Sequence, residues 1–226
     1  MSSAAARLRL FQLVSPALPV GAFSYSEGME VLVQGGQLAG AEALEAWLRA
    51  ELQRGAVAVE AAALGELQAE LCAWRQGDGG LPAVVALDGW LLAQREAPEL
   101  RAQQRQMGQS LLQLLADLGW PLPAAATELA WPAAFAWAAL CLEIASPELE
   151  EAYLYGWVAN QISAAVRLVP LGPTQGQRLQ LALAGCIAEQ AEALRCSDPR
   201  QLWNGGIGAG LAQLQHAELY SRLFRS

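Results

Sequence analysis

Apolar residues recur along this chain at helical spacing, and the period-two alternation of half-buried strands is nearly absent. Over 41–55, Leu44, Trp47, Leu48 and Leu52 share one face, and Glu45 precedes Arg49 by one turn, the favourable order for an exposed pair. The pattern continues over 56–75 through Leu64, Leu67 and Leu71, and 76-QGDGGLP-82 then breaks it, the clearest loop of the chain. It resumes over about 83–95 with Leu87, Leu91 and Leu92. After Ala97-Pro98 a helix of about 98–118 carries Met107, Leu111, Leu114, Leu115 and Leu118 on one stripe. The Pro/Gly segment 119-GWPLPAAA-126 reads as a loop, and a helix holding Trp131, Phe135 and Leu142 follows.

In 146-SPELEEAYLYGWVANQISAAVRLVPLG-172, Ser146 reads as an N-cap, Pro147 as the first helical residue, and acids fill the first turn. Pro170 ends that helix, and another is expected from Thr174 to about Leu194. The glycines of 205-GGIGAG-210 predict a weak helix or a loop. The segment 211–226 reads as helical at first, with its end left open. These elements amount to eight to ten helices, with short connections, no fixed repeat and no linker long enough to divide domains. The expected architecture is all-α, one domain over 1–226 wrapped around a central buried helix. The segment 148–168, apolar over most of its circumference, is the candidate centre.

Composition narrows the function. Of 226 residues 54% are hydrophobic and only 16% charged, more apolar surface than a monomer usually hides, which points to a protein partner or an oligomer. A net charge of −8 lacks the basic footprint of a nucleic-acid binder. All 14 basic residues are arginine. Without lysine there is no phosphate-binding G-x-x-x-x-G-K-[ST] loop and no Schiff-base chemistry, so any nucleotide hydrolysis must come from a partner. Cys72, Cys141, Cys186 and Cys196 include no C-x-x-C pair and read as buried free thiols of a reducing compartment. With His216 as the one histidine, a closed metal site within the chain is not expected. No apolar run of signal length opens the chain, and 129-LAWPAAFAWAALCL-142 is too short to span a bilayer. A cytoplasmic protein without a membrane segment is expected.

No catalytic set assembles. A Ser-His-Asp triad would need His216, which lies in a terminal segment expected to be mobile. The stretch 15-SPALPVGAFSYSEGME-30 has a structural reading: Ser15-Pro16 stops a helix, and Ser24-x-x-Glu27 forms a capping box. Gly28 then falls inside the new helix, at a cost that implies close packing against its backbone. Phe23 and Tyr25 are left over by that reading, and helix corner and interaction surface both stay open. The ending 219-LYSRLFRS-226 interleaves Leu219, Tyr220, Leu223 and Phe224 with Arg222 and Arg225, which favours a partner-binding tail over one docked on its own body.

Four segments resemble the urease accessory protein family UreF. The segment 16-PALPVGAFSYSEGMEVLV-33 resembles its Pro-x-Leu-Pro-Val-Gly-x-Phe-Ser-Tyr-Ser-x-Gly-Leu-Glu signature, with Met29 where leucine is usual. The segment 95-REAPELRAQQRQMGQSLLQLL-115 is similar to its Arg-Glu…Glu-Leu-Arg…Gln-Met-Gly helix. The segment 160-NQISAAVRLVPLGPTQGQR-178 resembles its Gln-x-Ser-Ala-Ala-Val-[Lys/Arg]-x-Val-Pro-Leu-Gly segment, and the tail resembles its Tyr-[Ser/Thr]-Arg-Leu-Phe-Arg-Ser ending. Ala217 departs from the usual glutamate after the histidine, Pro173 from the usual glutamine, and Arg167 stands where some members have lysine.

The resemblance implies an all-α, non-catalytic homodimer. It would bind the accessory protein UreD (also called UreH), recruit the GTPase UreG and dock on apo-urease. GTP-dependent nickel delivery follows, with nickel in transit and no stably bound cofactor. By position, Phe23, Tyr25, Glu30, Tyr220, Arg222, Phe224 and Arg225 would form or order the surface facing UreD. Arg167 and the turn at Pro170 and Gly172 would lie where the GTPase complex is influenced, although Pro170 and Gly172 would stop a helix in any protein. The alternative is a helical scaffold or adaptor of another cytoplasmic complex.

Overall fold

Helix ends fall where proline, glycine and the loss of periodicity place them. A computed structural model describes residues 4–124 and 127–226, and it contains ten α-helices, two 3-10 turns and no strand among those residues. The helices are α1 (Ala4–Leu13), α2 (Met29–Gln34), α3 (Ala41–Arg54), α4 (Ala56–Gln76), α5 (Leu81–Ala93), α6 (Pro98–Asp117), α7 (Trp131–Cys141), α8 (Glu148–Leu168), α9 (Pro173–Leu194) and α10 (Ile207–His216). Two residues of the expected 119–126 loop, 125 and 126, lie outside the described residues. No helix is long and apolar enough to cross a membrane among the described residues.

Alanine-rich helices form the interior. α4 opens with an unbroken buried run from Ala56 to Leu64, and α7 is buried from Pro132 to Ala139. Small side chains on every face let neighbours approach from all sides, so neither helix shows a narrow amphipathic stripe. α8 packs on α4, α7 and α9. It buries Leu149, Leu154, Val158 and Ile162 but keeps a wet edge at Tyr155, Ser163 and Arg167. The buried centre expected at 148–168 is therefore shared with α4 and α7.

Close crossings use glycine. A Cβ on Gly108 of α6 would clash with the Leu129 carbonyl oxygen, so α6 lies directly against the entry to α7. That entry is capped from another helix. The Asp88 carboxylate of α5 accepts the Ala130 amide at 3.0 Å, and burial pushes this carboxyl up to about 6. Ser146 does not cap α8 as expected. Its hydroxyl donates to Glu150 Oε1 at 2.7 Å, the Ser146–Pro147 peptide is cis, and the helix starts at Glu148. The 205-GGIGAG-210 segment resolves into a lead-in and a helix: the Gly205 amide donates to the Arg54 carbonyl at 2.7 Å, and α10 begins at Ile207. Of the cysteines only Cys186 is fully buried, and Cys196 is exposed.

Glu51 lies beneath that lead-in: a Cβ on Gly206 would come within 3.1 Å of its Oε2. Burial pushes the Glu51 carboxyl up to about 7, against the pull of Arg95 and Arg54 and with the neighbouring Glu27 charge adding to the rise. The folded chain thus holds this proton more tightly than the unfolded one. This contribution to stability falls as pH rises through the window from the ordinary glutamate value to about 7. Glu51→Gln should raise stability by about 1–3 kcal/mol at pH 8 and leave it nearly unchanged near pH 4, read from urea midpoints at both pH values.

Candidate functional site

The opening segment turns twice. After α1 it crosses Ser15-Pro16, makes a 3-10 turn at Ala22–Ser24 and then places Glu27 at φ 52 and Gly28 at φ 84 before α2 begins. The expected capping box is absent. The Ser24 carbonyl instead accepts the Arg225 amide at 2.9 Å, and the Glu27 side chain turns inward, away from the helix start. Gly28 stands before the helix rather than inside it. The expected close approach is real, however: a Cβ on Gly28 would stand 2.7 Å from the backbone nitrogen of Gln213 in α10. Two left-handed residues in succession swing the chain so that Glu27 and Glu30 both face inward.

Glu27 enters a buried polar network. Arg95, 4% exposed, donates from Nε to Glu60 Oε1 at 2.8 Å, and its Nη1 lies 3.7 Å from Glu27 Oε2. Tyr153 donates to Glu60 Oε2 at 2.8 Å, Trp157 to Glu27 Oε2 at 3.1 Å and Gln103 to Glu27 Oε1 at 2.9 Å. Burial alone would lower the Arg95 pKa, but Glu60 and Glu27 outweigh it and hold the guanidinium charged. Burial and the adjacent Glu60 raise the Tyr153 phenol well above its ordinary value, so it stays a donor. The segments α4, α6, α8 and 25–30 are thereby tied at one point.

The network continues into the tail. Ser226 donates its hydroxyl to Gln103 Oε1 at 2.6 Å, and its backbone oxygen accepts both the Ser26 amide at 2.7 Å and the Ser26 hydroxyl at 2.8 Å. Glu30 accepts the amides of Leu223 at 2.8 Å and Phe224 at 3.1 Å. His216 is fully buried, with Nδ1 2.8 Å from Glu99 Oε2 and Nε2 3.5 Å from Glu30 Oε2. Arg222 donates to the other Glu99 oxygen at 2.6 Å. Burial by itself would raise the Glu99 pKa, but hydrogen bonds from His216 and Arg222 prevail and hold it below the ordinary range.

The tail is therefore docked on its own body, contrary to the reading that placed partner binding first, and His216 ends a packed helix rather than lying in a mobile end. The reason is chemical. The buried Glu30 and the half-buried Glu99 need donors, and the 222–224 backbone and side chains supply them. Among the described residues no serine or cysteine bonds to His216, so no nucleophile–base pair forms there.

The expected site residues divide into two groups. Phe23, 70% exposed, and Tyr220, wholly exposed, face solvent, as do the Arg225 side chain and the turn at Pro170 and Gly172. Tyr25, Glu30 and Phe224 are buried, so they can order a surface but do not form one. Tyr25 and Phe23 do not present a joint aromatic pair. Arg167 joins the groups: Nη1 donates to the Phe23 carbonyl at 3.1 Å, and the guanidinium lies 4.5 Å from the centre of the Phe224 ring. Gly172 precedes α9, and its amide donates to Gln175 Oε1 at 3.2 Å. Ala217, where the sequence departs from the family ending, and the adjacent Glu218 are both exposed.

Sequence reasoning missed Arg95, Glu27, Glu60, Gln103 and His216 as organisers. One signal was present: Glu60 is the lone acid within the apolar run 56–64. Around this anchor the exposed apolar side chains Ile207, Leu211 and Leu214 recur at helical spacing on α10, with Leu223 of the tail also exposed. No group of three or more His, Cys, Asp or Glu residues placed to hold a metal occurs among the described residues.

Known proteins agree with the four-segment resemblance. The UreF family model matches residues 38–184. The urease accessory protein UreF of Alkalilimnicola ehrlichii is 42% identical over 224 residues, covering 98% of this chain and 96% of that relative. UreF of Azoarcus sp. (strain BH72) is 39% identical over 227 residues, 97% of this chain and 95% of the relative. UreF of Prochlorococcus marinus (strain MIT 9215) is 34% identical over 220 residues, 96% of each.

The Glu30 anchor can be tested by itself. Glu30→Gln replaces one acceptor oxygen with a carboxamide NH2, a donor set against a tail amide donor, a loss of about 2 kcal/mol in local stability. Trypsin cleavage after Arg222 and Arg225 should then accelerate about 10- to 30-fold, with helix content unchanged. Equal cleavage rates in the two proteins would assign the anchoring elsewhere.

Proposed function

This chain belongs to the UreF family of urease accessory proteins, and on that premise we propose that it is a non-catalytic cytoplasmic adaptor for assembly of the urease nickel site. In this reading it acts as a homodimer, binds UreD, recruits the GTPase UreG and brings both to apo-urease, where nickel is cargo. The observation that carries the reading is the division of labour at the tail. Buried groups, Glu30, His216, Phe224 and Ser226, hold the segment in place. Around them Tyr220 and Leu223, 106% and 52% exposed, and the α10 stripe remain uncovered.

A preordered apolar surface binds without the cost of ordering a tail at the moment of contact. A few buried anchors, tyrosine prominent among them, contribute most of the affinity in protein interfaces. We assign this surface to UreD. Arg167 and the turn at Pro170 and Gly172 are assigned to the influence on the GTPase complex. The absence of lysine supports placing nucleotide hydrolysis in UreG, because this chain has no phosphate-loop lysine of its own.

Deleting the tail would expose the buried carboxylates, so point changes on exposed residues are the cleaner test. The double variant Tyr220→Asp, Leu223→Asp should keep the wild-type melting temperature within about 2 °C. Co-expressed with UreD from the same source, it should lose UreD on affinity purification and leave urease without nickel-dependent activity, whereas Val85→Asp should behave as wild type. Retention of UreD by the double variant would remove the main support for this assignment.

A further inference from the structure

The charged network at the centre of the molecule borders a small cavity. It measures about 20 Å3, and Glu27, Glu60, Arg95, Gln104 and Gln161 are among its walls. Three buried polar atoms of these residues have no hydrogen-bond partner among the described residues: Arg95 Nη2, Gln104 Oε1 and Gln161 Oε1. Arg95 Nη2 lies 2.7 Å from Glu60 Oε1, but that oxygen takes the aligned bond from Nε, which leaves Nη2 free to donate. The Gln104 amide is oriented by its own Nε2, which donates to Glu60 Oε1 at 3.4 Å, so its Oε1 points elsewhere. The three residues are 4%, 3% and 2% exposed, too deep for bulk solvent to serve these atoms. Buried polar groups of folded proteins are paired with protein or with ordered water, so three orphans around one cavity call for a common partner.

We propose that this cavity is the binding site of one ordered water molecule, which donates to Gln104 Oε1 and Gln161 Oε1 and accepts from Arg95 Nη2. Size and chemistry both select this occupant. One buried water needs roughly 10–15 Å3 and two to four polar partners, so the cavity takes one and not two. The four carboxylate oxygens of Glu27 and Glu60 already accept from Gln103, Trp157, Arg95 and Tyr153. None of them is left to ligate a cation, which would also face the guanidinium. An anion would face two amide oxygens and two carboxylates. What remains is a need for two donors and one acceptor in one small neutral molecule, and water supplies it. The site has a structural consequence. Gln104 belongs to α6 and Gln161 to α8, helices that are linked here through the carboxylates of Glu27 and Glu60. The water adds a direct bridge from one helix to the other and fastens both to the Arg95 guanidinium.

The test is a crystal structure of the wild-type full chain at atomic resolution, from crystals grown in sodium bromide. It should show a single density peak in the cavity, about 2.7–3.2 Å from all three atoms and without anomalous signal. Three results would overturn the proposal: bromide signal at the site, contacts under about 2.6 Å to the amide oxygens of the kind a metal cation makes, or no peak at all. A solution measurement stands beside it. The near-isosteric double variant Gln104→Met, Gln161→Met removes both acceptor oxygens and keeps the side-chain volume. Water-oxygen magnetic relaxation dispersion should count one fewer long-lived water in this variant than in the wild type. Equal counts in two folded proteins would also overturn the proposal, and should the variant fail to fold, the wild-type density map decides alone.

Discussion

A guanidinium taken out of water needs its charge matched, and in this protein that requirement is met by Arg95 between Glu60 and Glu27. Removing either acid would take from the buried guanidinium one of its two carboxylate partners, so the two segments that supply them are constrained together. Glu60 arrives on the interior helix α4, whose alanines leave room for it. Glu27 can arrive only if the chain after Tyr25 adopts left-handed geometry at two consecutive residues, one of them a glutamate. That geometry then points Glu30 at the place where the tail amides lie. A local backbone cost at 27–28 is offset by a network reaching from Arg95 through Gln103 to Ser226.

The helical framework was largely legible. Loops at 76–82 and 119–124, restarts at proline and the stop at Pro170 all follow from backbone chemistry that acts locally. Gly28 was read correctly as a site of close approach and wrongly as a helical residue. The implied neighbour was right, because absence of a Cβ is a packing signal, but the dihedral was set by Glu27, which is a tertiary matter. Ser24 and Ser146 failed for the same reason: each matched a capping pattern, and in each case a distant or buried partner claimed the groups that capping needs. Patterns of caps describe what a residue can do locally, and buried charges elsewhere decide which option is used.

The candidate site was legible in its parts and not in its arrangement. The opening stretch, the 95–115 helix, the 160–178 stretch and the tail each stood out as separate marks. The structure brings them together: Glu27 and Glu30 from the first, Arg95, Glu99 and Gln103 from the second, Arg167 from the third and Arg222, Phe224 and Ser226 from the last. The interleaved Leu, Tyr and Arg of the tail turned out to alternate between two jobs, burial for Phe224 and exposure for Tyr220 and Leu223. Composition could flag the excess of apolar residues. It could not say that part of the excess would be sorted onto an exposed face of α10.

The central claim is that the tail is folded onto the body of the free chain before any partner binds. The most direct measurement is amide hydrogen exchange at Leu223, Phe224 and Ser26 in the isolated protein at neutral pH. The hydrogen bonds to Glu30 and Ser226 predict exchange slowed about 100-fold or more relative to unstructured peptide at all three amides. Exchange at unstructured rates in the free chain, with protection arising only on addition of UreD, would contradict it.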